Sequence, residues 1–298
     1  MASRAIKPGP LVVFGEVLID EFPDGQRVLG GAPFNVAWHL TAFGQATRLV
    51  SRIGTDADGE RIRSAMSGWG MDMSGLQTDE TRPTGVVSVK ISEGQPAYDI
   101  LANRAYDAID TSELAALECA VLYHGTLALR AADSRRALEQ LKSKSTAPVF
   151  MDVNIRDPWW DRELGLALAD DASWVKLNAE ELTRLIESDD DVQSLAERFL
   201  REHDLAGIIV TLGEEGAMAL SASGESARAA PRRGVEVVDT VGAGDAFAAV
   251  MLLGIVNEWP LETSLMRAQV FASKIVKNRG AVLTERSAYE RLAAEWRS

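Results

Sequence analysis

Two patterns of apolar residues alternate along the chain. The first is a set of short apolar runs: LVVFGE from Leu11, TRLVSRIG from Thr47, AVLYHG from Ala120, APVFMDV from Ala147, SWVKL from Ser173 and GIIVTLG from Gly207. Runs of this length and β-branched character read as strands buried on both faces. Between them lie longer segments of helical period. Over 33–43, Pro33 suits the first turn, Val36, Ala37, Leu40 and Phe43 share one face, and Gly44 supplies the stop. Strands alternating with helices predict an α/β fold, a three-layer sandwich around a mostly parallel sheet. After residue 205 the order changes. GAMALSASGESARAAP reads as antiparallel strands around Gly224, and two long helices, near 243–257 and 261–278, are expected to close the chain. The acids of ESDDDVQSLAERF suit a helix N-terminus on a solvated face.

Two segments interrupt the alternation. LIDEFPDGQRVLGG, with Pro23-Asp24-Gly25, and TGVVSVKISEGQPAYDILA, with Ser92-Glu93-Gly94, alternate polar and apolar residues about a turn signal, the pattern of hairpins. Segments 16–32 and 84–104 are therefore expected to pair into a small β-sheet lid over the carboxyl ends of the main strands, where open α/β sheets bind ligands. No internal repeat or low-complexity linker divides the chain, so residues 1–298 read as a single domain carrying that lid.

Composition narrows the partners. With 298 residues and 46% hydrophobic content, the chain can bury a sizeable core. A formal net charge of -13 argues against nucleic acid and anionic membranes, because both call for a basic surface. The basic N-terminal residues precede an apolar run broken by Glu16 and Asp20, a poor signal peptide, and no stretch approaches the roughly 20 apolar residues of a membrane span. The single cysteine, Cys119, reads as a core residue and fits a reducing, cytoplasmic setting. His39, His124 and His203 have no spaced partner that would make a metal site or a triad.

The chemistry concentrates in VEVVDTVGAGDAFAAV, residues 235–250. Gly242 and Gly244 remove Cβ atoms, so the backbone N–H groups of 242–245 can converge on one anion at the start of a helix. Asp245 then has two readings. It complements the helix dipole as an ordinary first-turn acid, or it takes the proton of a hydroxyl that attacks a phosphoryl group held by those amides. The phosphate loop Gly-x-x-x-x-Gly-Lys-Ser/Thr and the dinucleotide fingerprint after the first strand are both absent, so any nucleotide site must be of another kind.

DTVGAGDAF resembles the carboxyl-terminal signature of the ribokinase-like (PfkB) sugar kinases, and GGAPFNVAWHLTAFG, from Gly30, resembles their amino-terminal one. The resemblance covers essentially the whole chain. It implies an ATP-dependent kinase that phosphorylates a primary hydroxyl of a small sugar, closest to fructokinase, with 2-keto-3-deoxygluconate kinase or another sugar, sugar-phosphate or nucleoside kinase of the family as the alternative. It implies Asp245 as catalytic base and Gly242, Ala243 and Gly244 as the anion hole. Asp239 matches a position that helps hold potassium, although Val241 stands where a threonine hydroxyl is often found. KLNAEEL resembles the family's magnesium and phosphate motif through Asn178 and Glu181, and the same residues also suit a plain helix cap. Thr211 and Gly213 match the nucleotide loop, and Asn278 falls where relatives contact adenine. On the sugar side, Asp20, Gly30, Gly31 and Asn35 match binding positions. Asn154 and Arg156, in DVNIRDPWW, and Tyr98, in the lid, are further candidate sugar contacts, whereas Trp159 and Trp160 read as packing. The resemblance also implies ATP and Mg2+, with K+ as a further cofactor, and a homodimer formed through the lid sheets.

Overall fold

The computed structural model describes residues 6–92, 95–112, 114, 118–231, 234 and 237–297, and within these the side chains of 89–98 are not described. In chain order the described strands are β1 (Leu11–Phe14), β2 (Leu18–Glu21), β3 (Arg27–Gly30), β4 (Thr47–Gly54), β5 (Leu76–Asp79), β6 (Gly85–Ser92), β7 (Gln95–Ile100), β8 (Val121–His124), β9 (Val149–Asp152), β10 (Trp174–Asn178), β11 (Gly207–Thr211), β12 (Ala217–Ser221) and β13 (Ser226–Ala229). The helices are α1 (Ala32–Ala42), α2 (Ala57–Trp69), α3 (Ala132–Ser143), α4 (Arg162–Asp170), α5 (Ala179–Ile186), α6 (Val192–Glu202), α7 (Ala243–Val256), α8 (Leu261–Ile275) and α9 (Arg286–Arg297).

Nine strands form one sheet in the order β13-β12-β11-β10-β9-β8-β1-β4-β5. All neighbours are parallel except β11–β12 and β12–β13. Successive residues of β1 explain the layers: Leu11 and Val13 pack with α1, α2, α7, α8 and α9, while Val12 and Phe14 face the side covered by α3 to α6. The central strands β1, β8 and β9 are thus buried on both faces, which is why their sequences are continuous apolar runs instead of alternations. Every strand expected from such a run is present, and Gly224 lies in the β12–β13 turn at φ 90°.

The two interrupting segments pair as a second sheet, β3-β2-β6-β7, in which β2 and β6 run parallel at its centre. It springs from the carboxyl edge of the main sheet. β2 follows β1 after three residues, and the stretch entering β6 is tied to the end of β4 by the Gly54 N–H donating to Thr84 Oγ1 at 2.9 Å.

The expected close of the chain needs correction. After α7 and α8 a third helix, α9, folds back and inserts Tyr289 and Leu292 into the core, where the Tyr289 ring meets Phe43, Trp69 and Phe271. α8 ends at Ile275, so Asn278 lies three residues beyond the helix instead of near its end. Among the described residues no helix is long and apolar enough to cross a membrane.

Candidate active site

The turn 239–245 is built on Gly242. It is the N-cap of α7 at φ 79°, a left-handed conformation, and no described side chain caps the helix. The Ala243 N–H closes the turn on the Thr240 carbonyl at a long 3.3 Å, while the N–H groups of Gly242, Gly244 and Asp245 have no backbone partner among the described residues and are left for an external acceptor, with the helix dipole behind them. The turn is held from behind by Asp239, whose two carboxylate oxygens accept the N–H groups of Val241 at 3.0 Å and Gly280 at 3.1 Å.

Asp245 sits in the first turn of α7, half-buried. Its Oδ2 accepts a hydrogen bond from Asn35 Nδ2 at 2.7 Å, across 210 residues of sequence. Asn35 is buried in the second turn of α1, and its Oδ1 has no partner among the described residues. Its side chain is thus orientated by the Asp245 carboxylate and turns a free acceptor elsewhere. Burial pushes the Asp245 carboxyl up to about 6, with Asp152 adding to the rise, while the Asn35 hydrogen bond, Lys176 and Arg156 pull it back. A base poised close to neutrality is suited to proton transfer at cellular pH.

The sugar-side candidates meet across the β2–β3 pair. A side chain on Gly30 would place its Cβ 2.1 Å from Asp20 Oδ2, and one on Gly31, at φ 103°, would fall 2.7 Å from the Glu16 carbonyl oxygen. The glycines therefore let the Asp20 carboxylate and the Glu16 backbone approach the chain directly. Burial, with Asp245 and Asp239 adding, raises Asp20 to about 6, and Arg156 opposes the rise. Glu16, which the sequence reading used only to interrupt a signal peptide, is 3% exposed with Oε2 lacking a partner among the described residues. Burial pushes it up to about 7, against the backbone amides of Glu16 and Ala128.

Beyond β9 the chain enters the loop that carries Asn154 and Arg156. Asn154 is fixed through its backbone, donating its N–H to Thr126 Oγ1 at 3.0 Å and accepting from the same hydroxyl at 2.8 Å. Arg156 is exposed, with Nη1 donating to the Ile155 carbonyl at 3.0 Å, and its charge acts to lower the pKa values of Glu16, Asp20, Asp152 and Asp245. Trp159 packs as expected and does more. Its indole N–H donates to the Ile100 carbonyl at 3.1 Å, at the exit of β7, and Arg130 stacks over its ring at 4.5 Å. The same Arg130 donates to the Leu101 carbonyl at 2.7 Å and pairs with Asp107. The small sheet is thereby anchored to the loop of Asn154 and Arg156.

Asn178 and Glu181 form a capping box on α5: Asn178 Oδ1 accepts from the Glu181 N–H at 2.8 Å, and Glu181 Oε2 accepts from the Asn178 N–H at 2.9 Å. Glu181 Oε1 accepts from the Ile155 N–H at 3.0 Å, which ties this helix to the Arg156 loop. Each carboxylate oxygen thus accepts one amide and keeps a second lone pair, so magnesium arriving on nucleotide phosphates would meet Glu181 directly or through water. Thr211 ends β11 opposite Asn178 in register, and Gly213 follows at φ 56°. Asn278 is exposed, with its side-chain amide on the Lys274 carbonyl. Tyr98 lies on β7, and its side chain is outside the described residues. Among the described residues no group of three or more His, Cys, Asp or Glu side chains is arranged to hold a metal.

One element of the site was missed in sequence. Lys176 on β10 is buried, its ammonium 2.7 Å from Asp152 Oδ1, and Tyr123 donates to Asp152 Oδ2 at 3.0 Å. The signal was present as a lysine inside SWVKL, a run otherwise suited to burial on both faces.

A large sheet with an uncapped helix N-terminus, a poised carboxylate and converging polar groups at its carboxyl edge defines a group-transfer enzyme that handles an anion and a hydroxyl. Residues 11–287 match the pfkB family carbohydrate kinases, and the chain belongs to that family. It is 32% identical to the fructokinase of Klebsiella pneumoniae over 268 residues, 83% of this chain and 84% of that protein. Among solved structures it resembles fructokinase with bound ATP from Xylella fastidiosa, with a TM-score of 0.83 at 20% identity, covering 97% of this chain and 99% of that one. It also resembles aminoimidazole riboside kinase from Salmonella enterica, with a TM-score of 0.82 at 23% identity, covering 96% of this chain and all of that one.

Proposed function

We propose that the protein is an ATP-dependent kinase that phosphorylates a primary hydroxyl of a small sugar, with fructose as its substrate. The observation that carries this reading is the Asn35–Asp245 hydrogen bond, because it joins the sugar-side helix α1 to a carboxylate at the head of an uncapped helix. With a sugar between Asp20 and Asn35, the attacking hydroxyl would lie beside Asp245, which takes its proton as the oxygen bonds to the γ-phosphorus. The bond from that phosphorus to the β,γ-bridging oxygen breaks, and ADP leaves. The amides of 242–244 receive the charge that develops on the phosphoryl oxygens, and water is excluded by the small sheet acting as a lid. Magnesium, when bound, neutralises phosphate charge. Asp239 keeps a lone pair on each oxygen for a monovalent cation, and Val241 brings no hydroxyl to it.

Relatives named fructokinase support the choice of fructose. Arg156, an exposed cation in the loop after β9, also suits a sugar acid, which keeps 2-keto-3-deoxygluconate in the test. ADP release with MgATP should be measured across fructose, ribose, 2-keto-3-deoxygluconate, adenosine and fructose 6-phosphate. Fructose is expected to give the highest kcat/KM. Turnover of another member with fructose inert would overturn the substrate, and no sugar-dependent ADP from any of them would count against the kinase reading itself.

The pH dependence follows from the same carboxylate. Asp245 accepts a proton only when ionised, and its pKa is raised to about 6, so the active form is present above that pH and is lost as pH falls through it. A plot of log kcat/KM for the sugar is expected to bend near pH 6 and to fall below it with a slope of about one per pH unit from Asp245 alone, approaching about two if the charge of Asp20, lost over the same range, is also needed. An acid limb at the ordinary carboxylate position near pH 4 would rule out a buried base.

A further inference from the structure

One buried ion pair takes no proton, sugar or phosphate in the chemistry above. Lys176 is 6% exposed and Asp152 fully buried, with 2.7 Å between Nζ and Oδ1. Such pairs are weak contributors to stability, because the loss of hydration offsets most of the attraction, and apolar residues of similar volume commonly serve as well. Its position is more informative than its energy. A Cβ built on Gly244 would stand 3.5 Å from Lys176 Nζ, so the ammonium lies directly against the turn that forms the anion hole. Asp152 is itself fixed on its other oxygen by Tyr123, which leaves the lysine little freedom. Burial acts to lower the lysine's proton affinity, yet the carboxylates of Asp152, Glu181 and Asp245 outweigh it and raise it, so the group is an ammonium.

We propose that Lys176 is a positioning residue for phosphoryl transfer, an ammonium fixed by Asp152 and Tyr123 against the backbone of Gly244 that sets the charge balance in which Asp245 takes its proton. The proposal rests on the reading of Asp245 as the base. The groups that interact with Asp245 are Glu16 after β1, Asp20 on β2, Asn35 on α1, Tyr123 on β8, Asp152 on β9, Arg156 in the next loop and Lys176 on β10. Four are carboxyls counting Asp245 itself with Glu16, Asp20 and Asp152, and two are cations. Of the cations Arg156 is exposed and screened by solvent, whereas Lys176 is buried and acts through a medium that screens it less. Lys176 is thus the cation with the greater hold on the turn.

The two members of the pair give opposite expectations, which separates this role from a structural one. Lys176→Met removes positive charge and should move the acid limb of kcat/KM upward by about one pH unit; Asp152→Asn removes negative charge while Lys176 remains an ammonium at pH 6, and should move it downward by a similar amount. The double variant D152N/K176M should fall between them. The same shifts should appear in the unliganded protein as the titration of the Asp245 side-chain carboxyl carbon, followed by NMR after labelling with 13C-aspartate and assigned with D245N. Because that measurement needs no sugar, failure of the substrate panel and failure of this proposal are distinguishable. Acid limbs and carbon titrations that stay at the wild-type position, or that move the same way in both single variants, would overturn it. Should K176M fail to fold, Asp152→Asn decides alone: a downward shift supports the proposal and an unmoved titration sinks it.

Discussion

Asp245→Asn is expected to lower kcat for sugar-dependent ADP release about 1,000-fold, a barrier increase of about 4 kcal/mol, while the fold is kept. The substitution is isosteric, and an Asn side-chain oxygen can still accept the hydrogen bond that Asn35 donates at 2.7 Å. Only the ability to take a proton is removed. The effect on stability has its own sign. A carboxyl whose folded-state pKa is about 6 against an ordinary 3.8 opposes folding increasingly as pH rises from about 4 to 6, and fully above that. Asn escapes this penalty, so the variant's Tm at pH 7 is expected to equal or exceed that of the wild type. A loss of turnover accompanied by a fall in Tm would point to damage rather than chemistry. Turnover within tenfold of wild type, in a folded variant, would remove Asp245 from the role of base.

Much of the architecture was legible because its physics is local. A strand buried on both faces reads as a short, mainly apolar run, and β1, β8, β9 and β11 declare themselves that way, with β4 and β10 doing so around Leu49-Val50 and Trp174-Val175. The hairpins declare themselves by alternation about their turns. β5 does not, since Leu76–Asp79 is short and largely polar and becomes a strand by pairing in register with Ser51–Gly54 of β4. α9 was overlooked for a different reason. Five of its twelve residues are charged, which masks its apolar face, and the stripe Tyr289, Leu292, Ala293 and Trp296, at the spacing of one helical face, was the available signal. The site divides in the same way. Gly30, Gly31 and Gly242 stand out because close approach demands glycine, and Asp245 because it opens a helix. The pairing of Asp245 with Asn35, and the meeting of Asp152, Lys176 and Tyr123 behind Gly244, depend on strand order, which no local pattern carries. Asn178 and Glu181 show the reverse lesson: the capping chemistry visible in KLNAEEL is formed in full, and it leaves Glu181 with no oxygen free of an amide.

Gly242→Ala tests the anion hole without touching any ionisable group. At φ 79° an alanine is held in the left-handed region, which costs about 1–2 kcal/mol by itself. The contact is the larger effect. A Cβ here would lie 2.4 Å from both Cα and Cβ of Ala281 and 2.7 Å from its carbonyl oxygen, and backbone cannot swing aside as a long side chain does. Either the turn 239–245 or the strip at 280–281 must move, and Asp239 transmits the movement because it bonds the N–H groups of Val241 and Gly280 together. A displacement of about 1 Å at a reacting centre is worth about 100-fold in rate, and loss of a donor to the developing charge about 100- to 1,000-fold. Gly242→Ala is therefore expected to lower kcat by about 100-fold or more and Tm by several degrees, since both the strain and the clash act on the folded state. Gly244→Ala is the control, because its Cβ would meet only Lys176 Nζ, at an ordinary 3.5 Å, and its Tm should stay close to that of the wild type. Near-normal kcat in Gly242→Ala would mean that the amides at the head of α7 do not carry the phosphoryl charge, and the catalytic role of the whole turn would then rest on Asp245 alone.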